Sequence, residues 1–237
     1  MDRDSILEKI NSRKWWHSIE IAPGIITPGE YDTKQLLGIM DFPKDLSGKT
    51  VLDIGTNDGF FAFEAERRGA KRIVAVDRCP PDHNGFAMAH SLLNSKAEYE
   101  AASVYDLDPE KHGTFDVVLF FGVLYHLRHP LLALEKIHRV CTELLLIESQ
   151  VIDEAFIYDN IGYVLRDIDP RLRDSPLMQF YPSNELNSDY TNWWAPNIEC
   201  IRSMVESSGF QPELIAQWGS RAAFRATRLD FTPPVWY

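Results

Sequence analysis

The stretch Lys49-Thr-Val-Leu-Asp53-Ile-Gly55-Thr-Asn57-Asp58-Gly59-Phe-Phe constrains the fold of this chain more than any other. Thr50 to Ile54 is a short apolar run of the kind that forms a buried strand. It breaks into a Gly/Asn/Asp turn, after which Phe60-Phe61-Ala62-Phe63-Glu64-Ala65 has the character of a helix start. A strand, a glycine turn and a helix in that order aim backbone N–H groups and a helix N-terminus at a ligand.

The rest of the chain can be placed around this turn. Ile73–Val76 is a second apolar run and ends at Asp77; Ala97–Ala101, Phe115–Phe121 and Glu143–Ile147 follow as further strands. Helical stretches fall at roughly 60–68, with Gly69 as a C-cap, through His90–Asn94, and from Pro130 with Leu134, Ile137 and Cys141 on one face. Strands alternating with helices in this way predict a mostly parallel α/β sheet with helices on both faces. Phe115–Phe121 is apolar throughout, as a strand covered on both faces must be.

Four segments divide the chain. Residues 1–47 carry an amphipathic helix with Ile6, Leu7 and Ile10 on one face, then an irregular flap from Trp15-Trp16-His17-Ser18-Ile19-Glu20 through Thr27-Pro28-Gly29, then a helix at 32–41. Residues 48–152 form the ligand-binding core. Residues 153–196 break the alternation; they are polar, aromatic and long enough to act as an ordered lid, with one short helical candidate near Ile161–Leu165. Residues 197–237 return to the core, with Asn197 capping a helix to Ser208 and strands at Leu214–Trp218 and Ala222–Leu229.

Bulk properties narrow the function classes. The 237 residues suit one large domain with a lid, and 35 acidic against 24 basic side chains give a formal charge of −11. A nucleic-acid partner would need a local basic strip, and the short clusters Arg67-Arg68/Lys71-Arg72 and Arg171/Arg173 read as solvated helix ends and loops, so nucleic acid is disfavoured. Three scattered cysteines form neither a disulfide framework nor a zinc pattern. With no apolar leader and no run long enough to span a bilayer, the expectation is a soluble, cytoplasmic protein with no membrane partner; a homodimer stays open.

Two carboxylates define the ligand. Asp53 lies at the mouth of the first strand and Asp77 ends the second, where an acid accepts hydrogen bonds from ribose hydroxyls. That pairing fits an adenosine-containing ligand with free 2′ and 3′ hydroxyls. The dinucleotide spacing Gly-x-Gly-x-x-Gly is absent; here it is Asp53-x-Gly55-x-Asn57-x-Gly59, with Asn the non-glycine residue most at ease at positive φ. No Lys-Ser/Thr follows, which excludes a phosphate-cradling NTPase loop.

Leu52-Asp-Ile-Gly-Thr-Asn-Asp-Gly59 with Val76-Asp77 resembles the S-adenosylmethionine site of class I methyltransferases, whose usual motif is Asp-x-Gly-x-Gly-x-Gly. The resemblance covers roughly residues 48–230 and implies a Rossmann-like, seven-stranded, mostly parallel sheet with an antiparallel last strand. A narrower likeness lies in Phe121-Gly-Val-Leu-Tyr125-His126-Leu-Arg-His-Pro130 and in the Trp-His…Pro-Gly-x-x-Thr-Pro-Gly prelude. These resemble the branch holding tRNA wobble-uridine carboxymethyltransferases and related small-molecule O-methyltransferases. Carried over by position, Gly55, Asn57 and Gly59 approach the methionine part of the cofactor and Asp77 its ribose. Val104, Tyr105 and Asp106 flank the adenine, and Gly122 lies near the amino group.

The acceptor chemistry rests on fewer residues. Methyl transfer from a sulfonium is an in-line displacement, so the protein mainly positions two reactants, and a hydroxyl acceptor must also lose a proton. Tyr125 and His126 follow the fourth strand at the ligand-binding edge, and Glu148 ends the neighbouring strand. His126 either takes that proton or fixes the strand end, and Tyr125 either takes part or packs on the cofactor. His17 and Glu20 are rival bases if the flap folds over the site. Asp106, Glu148, Asp153 and Glu154 raise a magnesium ion as a further option, although no spacing marks one. Trp16 on the flap and Tyr190, Asn192, Trp193 and Trp194 on the lid combine aromatic faces with polar groups suited to a sugar-like substrate.

The leading expectation is O-methylation of a small hydroxylated, sugar-like or natural-product molecule. The alternatives are a tRNA carboxymethyltransferase-like enzyme and a non-catalytic S-adenosylmethionine-binding protein. The tRNA reading needs cationic groups for an extra carboxylate; Tyr125 matches one family position, and the expected lysine has no counterpart.

Overall fold

The computed structural model describes residues 2–159 and 161–230; the last seven positions of the expected C-terminal segment lie outside them. Seven strands form the central sheet: β1 (Thr50–Ile54), β2 (Arg72–Asp77), β3 (Glu98–Ala101), β4 (Phe115–Phe121), β5 (Cys141–Gln150), β6 (Phe210–Trp218) and β7 (Arg221–Arg228). They lie in the order β6-β7-β5-β4-β1-β2-β3. The pairs among β1 to β5 are parallel, and β7 runs antiparallel to both of its neighbours. The chain builds outward from β1 in one direction, then returns to place β4 on its other side. That reversal opens a crevice at the C-terminal ends of β1 and β4, where open α/β sheets bind ligands.

Both faces of the sheet are covered, which explains the unbroken apolar runs. Successive strand residues point to opposite faces. Leu52, Ile54, Val118 and Phe120 meet helices α3 (Pro130–Val140) and α4 (Ile198–Ser207) through Leu134, Ile137, Ile201 and Met204. Val51, Ile73, Val117 and Leu119 meet helices α1 (Phe60–Arg67) and α2 (Phe86–Leu93) through Phe61, Ala62, Phe63 and Ala89. Each large apolar side chain so buried contributes about 1.5–3 kcal/mol. Asn197 caps α4, accepting from the Cys200 N–H at 2.9 Å.

The flap is more regular than its sequence reads. After a helix at Arg3–Asn11, Trp15–His17 pairs in parallel with Gly29–Tyr31, and Glu20–Ala22 pairs with Ile25–Ile26. Strands of two or three residues are too short to show alternation, so the segment looks irregular in sequence. Ile10, Trp15, Ile19, Ile21 and Ile25 join the apolar layer that holds α1 and α2.

The lid corrects one expectation. Ile161–Leu165 is not a helix: Ile161–Tyr163 is a strand paired with Phe156–Tyr158, and a one-turn helix begins only at Leu165. The hairpin turns at Asp159, whose φ of 50° lies in the left-handed region. A second ribbon pairs Met178–Phe180 with Trp194–Pro196, and Ile152, Leu165, Tyr181, Leu186 and Ala195 give the lid a small core of its own.

Candidate active site

The glycine turn is fixed from below. Gly55 and Thr56 donate backbone N–H bonds to the Val76 carbonyl at 2.8 and 3.2 Å, tying the turn to the end of β2. Gly55, Asn57 and Gly59 have φ of 74°, 50° and 91°. A Cβ on Gly59 would lie 2.5 Å from the Phe63 ring and 2.7 Å from Phe86, so neither backbone nor space permits a side chain there. Asp53 is 2% exposed and accepts from the Thr56 hydroxyl at 2.7 Å; burial pushes its carboxyl up to about 7. The Asp77 carboxylate accepts from the Asn57 and Cys79 N–H groups at 3.1 Å each, one on each oxygen. Each oxygen keeps a second lone-pair direction, which a ribose hydroxyl can use.

Beyond β3, Val104–Asp106 is a short 3₁₀ turn held by a capping box between Ser103 and Asp106. The Ala102 N–H donates to the Asp77 carbonyl at 2.9 Å, which sets this turn beside the ribose acid. Val104 is buried, and the Tyr105 hydroxyl accepts from the His129 N–H at 3.0 Å. The turn that the sequence reading sets beside an adenine is thus held at both ends by hydrogen bonds.

At the end of β4, Gly122 (φ 69°) donates to the Glu148 carbonyl at 3.0 Å. A Cβ there would sit 3.5 Å from the Tyr125 hydroxyl, 3.8 Å from Arg221 and 3.9 Å from Glu148. Glycine therefore leaves open a space bounded by these three groups. Arg221, the first residue of β7, grips Glu148 through Nε and through Nη2 at 2.7 Å, and its Nη1 donates to the Tyr125 hydroxyl at 3.2 Å. Burial works against the Arg221 charge, but the Glu148 carboxylate outweighs it and holds the guanidinium firmly protonated. Burial also raises the Tyr125 phenol, aided by Glu148 and Tyr31. Glu148 is thus the buried partner of a half-buried cation. Arg221 carries no motif; only the register that sets Arg221 opposite Gln150 brings it to Tyr125.

His126 is held by the lid. Its Nδ1 lies 3.2 Å from the Thr191 carbonyl and 3.0 Å from the Thr191 hydroxyl, and that hydroxyl donates to Asp189 at 2.7 Å. A carbonyl only accepts, and the threonine proton is already committed to Asp189. Nδ1 therefore carries the imidazole proton, and Nε2, with no hydrogen-bond partner among the described residues, presents its lone pair. Burial keeps the imidazole neutral by lowering its pKa below the ordinary 6.5. The Trp193 N–H donates to the Tyr125 carbonyl at 2.8 Å, which latches the lid to the same turn.

The remaining candidates divide between wall and surface. Trp193 carries Arg128 over its ring at 3.9 Å, and Trp194 lies in the lid ribbon against Phe180. Asn192 is 2% exposed and donates to the Leu186 carbonyl, whereas Tyr190 is exposed. On the flap, Trp16 and Tyr31 are exposed and meet with tilted rings at 4.8 Å, His17 is buried, and Glu20 pairs at the surface with Lys34 at 2.9 Å. The magnesium expectation finds no donor set. Glu148 is taken by Arg221, Asp153 accepts from the Ile198 N–H, and Asp106 caps its own turn. Among the described residues no group of three or more His, Cys, Asp or Glu side chains gathers to hold a metal ion. Two clefts of about 520 and 330 Å³ run along α4 and β6, and no residue of the glycine turn or of Tyr125-His126 lines either.

One functional residue is hidden inside the most legible motif. Asp58 reads as a turn residue, yet it is 2% exposed and accepts from the Trp16, His17 and Gly85 N–H groups at 2.6, 3.0 and 2.7 Å. The glycine turn thereby anchors the flap and the entry to α2. Its only sequence signal is a second acid beside Asn57 where the turn itself needs none.

The sheet order, the glycine turn and the two acids at the ends of β1 and β2 define a class I, Rossmann-like S-adenosylmethionine-binding fold. The family model described as methyltransferase domain matches residues 32–219, and the chain belongs to that family of S-adenosylmethionine-dependent methyltransferases. The curated tRNA U34 carboxymethyltransferase of Dichelobacter nodosus is 30% identical over 185 residues, 76% of this chain and 51% of the relative. That of Helicobacter pylori strain G27 is 24% identical over 212 residues, 87% of this chain and 74% of the relative. The chain thus spans about half the length of the first relative and about three quarters of the second. Among solved structures, the N-terminal domain of EvdMO1 with SAH bound is similar at a TM-score of 0.66 and 17% identity, covering 96% of this chain and 98% of that one. No helix among the described residues is long and apolar enough to cross a membrane.

Proposed function

We propose that this methyltransferase acts on a hydroxyl of a small polar acceptor, sugar-like or a natural-product intermediate, and that His126 takes the hydroxyl proton. Bound S-adenosylmethionine supplies an electrophilic methyl group on a sulfonium. Asp77 and the Val104–Asp106 turn hold its adenosine part, and the Gly55–Gly59 turn and Gly122 receive its methionine part. The carrying observation is the state of His126: Nδ1 is committed to the Thr191 carbonyl and hydroxyl, Asp189 backs that hydroxyl, and a neutral Nε2 is left to accept. A base whose pKa is lowered by burial is neutral at neutral pH and free to take a proton. Glu148 and Tyr125, joined through Arg221, line the space beside Gly122.

The test is turnover with methyl-labelled S-adenosylmethionine against a panel of glycosides and hydroxylated natural products, with products identified by mass spectrometry. His126→Gln is expected to lower kcat by about 10²- to 10⁴-fold, the usual worth of a positioned base, with the affinity for S-adenosylmethionine unchanged. Full activity in that variant removes His126 from the chemistry. A second reading, carboxymethyl transfer to a tRNA uridine, is favoured by the curated relatives and by the Arg221 cation beside Tyr125. Against it stand the formal charge of −11 and the engagement of Arg221 by Glu148. Salt-dependent retention of tRNA in a filter assay would favour this reading over the first.

A further inference from the structure

His17 is placed with a care that its own packing does not require. Its backbone N–H donates to Asp58 at 3.0 Å, so the residue is pinned to the glycine turn itself. Its ring lies 6.0 Å from Phe60 and 5.7 Å from Phe61 on the first turn of α1, and Phe61 lies 4.7 Å from Phe121, the residue before Gly122. Its strand partner is Tyr31, close enough to Tyr125 to disfavour that phenol's ionised form. The imidazole therefore sits in the aromatic layer joining the glycine turn to the end of β4.

The side chain is 8% exposed, yet its Nδ1 is buried without a hydrogen-bond partner. Nε2 likewise meets no donor or acceptor among the described residues. A histidine kept only for packing would carry the full desolvation of that nitrogen, a loss that phenylalanine in the same aromatic layer would avoid. Burial lowers its pKa to about 4, so the ring is neutral near pH 7, with one N–H and one lone pair. So weak a base is poorly matched to taking a proton at that pH, whereas a neutral imidazole is well suited to binding a hydroxyl, which both donates and accepts.

We propose that His17 is a specificity-determining residue that binds a hydroxyl of the methyl acceptor, held in place by Asp58 of the cofactor turn. The proposal rests on the hydroxylated-acceptor reading given above and divides the labour within it: His126 takes the proton of the reacting hydroxyl, and His17 orients the acceptor. Because Asp58 belongs to the turn that receives the cofactor, the acceptor contact and the donor site are built on one loop.

The test compares wild type with His17→Phe, which keeps an aromatic ring and removes both nitrogens, and with His17→Gln, which keeps a donor and an acceptor. Acceptor KM, kcat, S-adenosylmethionine affinity by isothermal titration and thermal midpoint are read on each, using the hydroxylated acceptor that wild type methylates. His17→Phe is expected to raise acceptor KM about tenfold or more, with donor affinity unchanged and a thermal midpoint equal to or above that of wild type; His17→Gln recovers part of the KM. An unchanged KM in His17→Phe, or a lowered thermal midpoint with weakened donor binding, overturns the proposal while leaving the O-methylation reading intact. If wild type methylates no hydroxylated member of the panel, the O-methylation reading fails and this inference fails with it.

Discussion

Asp53 gives the sharpest physical prediction. Its carboxyl titrates near 7 in the folded protein, against 3.8 for an exposed aspartate, because burial beside Asp77 opposes its charge more than the Thr56 and Ala62 hydrogen bonds support it. Between these two values the folded state holds a proton that the unfolded chain has released. Stability therefore falls as pH rises through this window and levels off above pH 7. Roughly three pH units at about 1.4 kcal/mol each amount to about 4 kcal/mol. Asp53→Asn replaces the acid with a group close in shape to its protonated form, able to keep accepting from Thr56 and Ala62. The measurement is urea unfolding of ligand-free wild type and variant between pH 4 and 8. The difference between the two curves cancels every other titrating group. The variant is expected to gain on wild type steadily from pH 4 to 7, by about 4 kcal/mol in all, and to hold that gain above pH 7. A difference that stays flat across the window refutes the argument, because Asp53 would then ionise alike in both states.

Four further outcomes follow from the same geometry. Glu148→Gln removes the charge facing Arg221, whose own side chain is 26% exposed, and should cost about 1–3 kcal/mol in urea unfolding, since the guanidinium can still reach water and the amide oxygen can still accept. Thr191→Val removes the hydroxyl that links His126 to Asp189; kcat/KM should fall by roughly 5- to 100-fold at unchanged donor affinity. In wild type, kcat/KM should decline as pH drops through a value below 6.5, since burial lowers the His126 pKa and only the neutral ring accepts a proton; a decline centred above 6.5 would contradict that placement. Asp58→Asn keeps one accepting oxygen where three N–H groups converge, so thermal stability and donor affinity should fall together.

The geometry of the glycine turn is legible because its requirements are local. Positive φ at Gly55, Asn57 and Gly59 is written within five residues, and the acid at the tip of β2 ends the next apolar run. The strand positions follow from apolar runs for the same reason, although β5 extends to Gln150, past the apolar run that marks it. The acceptor half depends on distant partners. Arg221 reaches Tyr125 only because β7 inserts beside β5, a matter of sheet order that no window of sequence carries. Asp58 looks like turn chemistry until the flap is folded onto it. The paired strands of flap and lid escape periodicity because two or three residues do not make a period. The hairpin at Asp159 escapes notice because its strands are three residues long and Ile161, Val164 and Leu165 fall at helical spacing.

The Arg221 charge is met within the fold, and this bears on the proposed acceptor. Arg221 is met by Glu148 and Arg128 lies over the Trp193 ring, while the exposed Arg78 is close enough to His126 to oppose its charge. What lies nearest to Gly122 is the Tyr125 phenol and the Arg221–Glu148 pair, with the neutral His126 on the turn that follows. Such groups recognise hydroxyls and apolar sugar faces by direction and contact, and they offer little to a ligand held mainly by its charge. A donor carrying an added carboxylate would have to share Arg221 with Glu148, bringing two carboxylates to one guanidinium in a mostly buried site. The neutral hydroxylated acceptor needs no such rearrangement, and for that reason it is the reading the side-chain chemistry favours, although the curated relatives bear the other name.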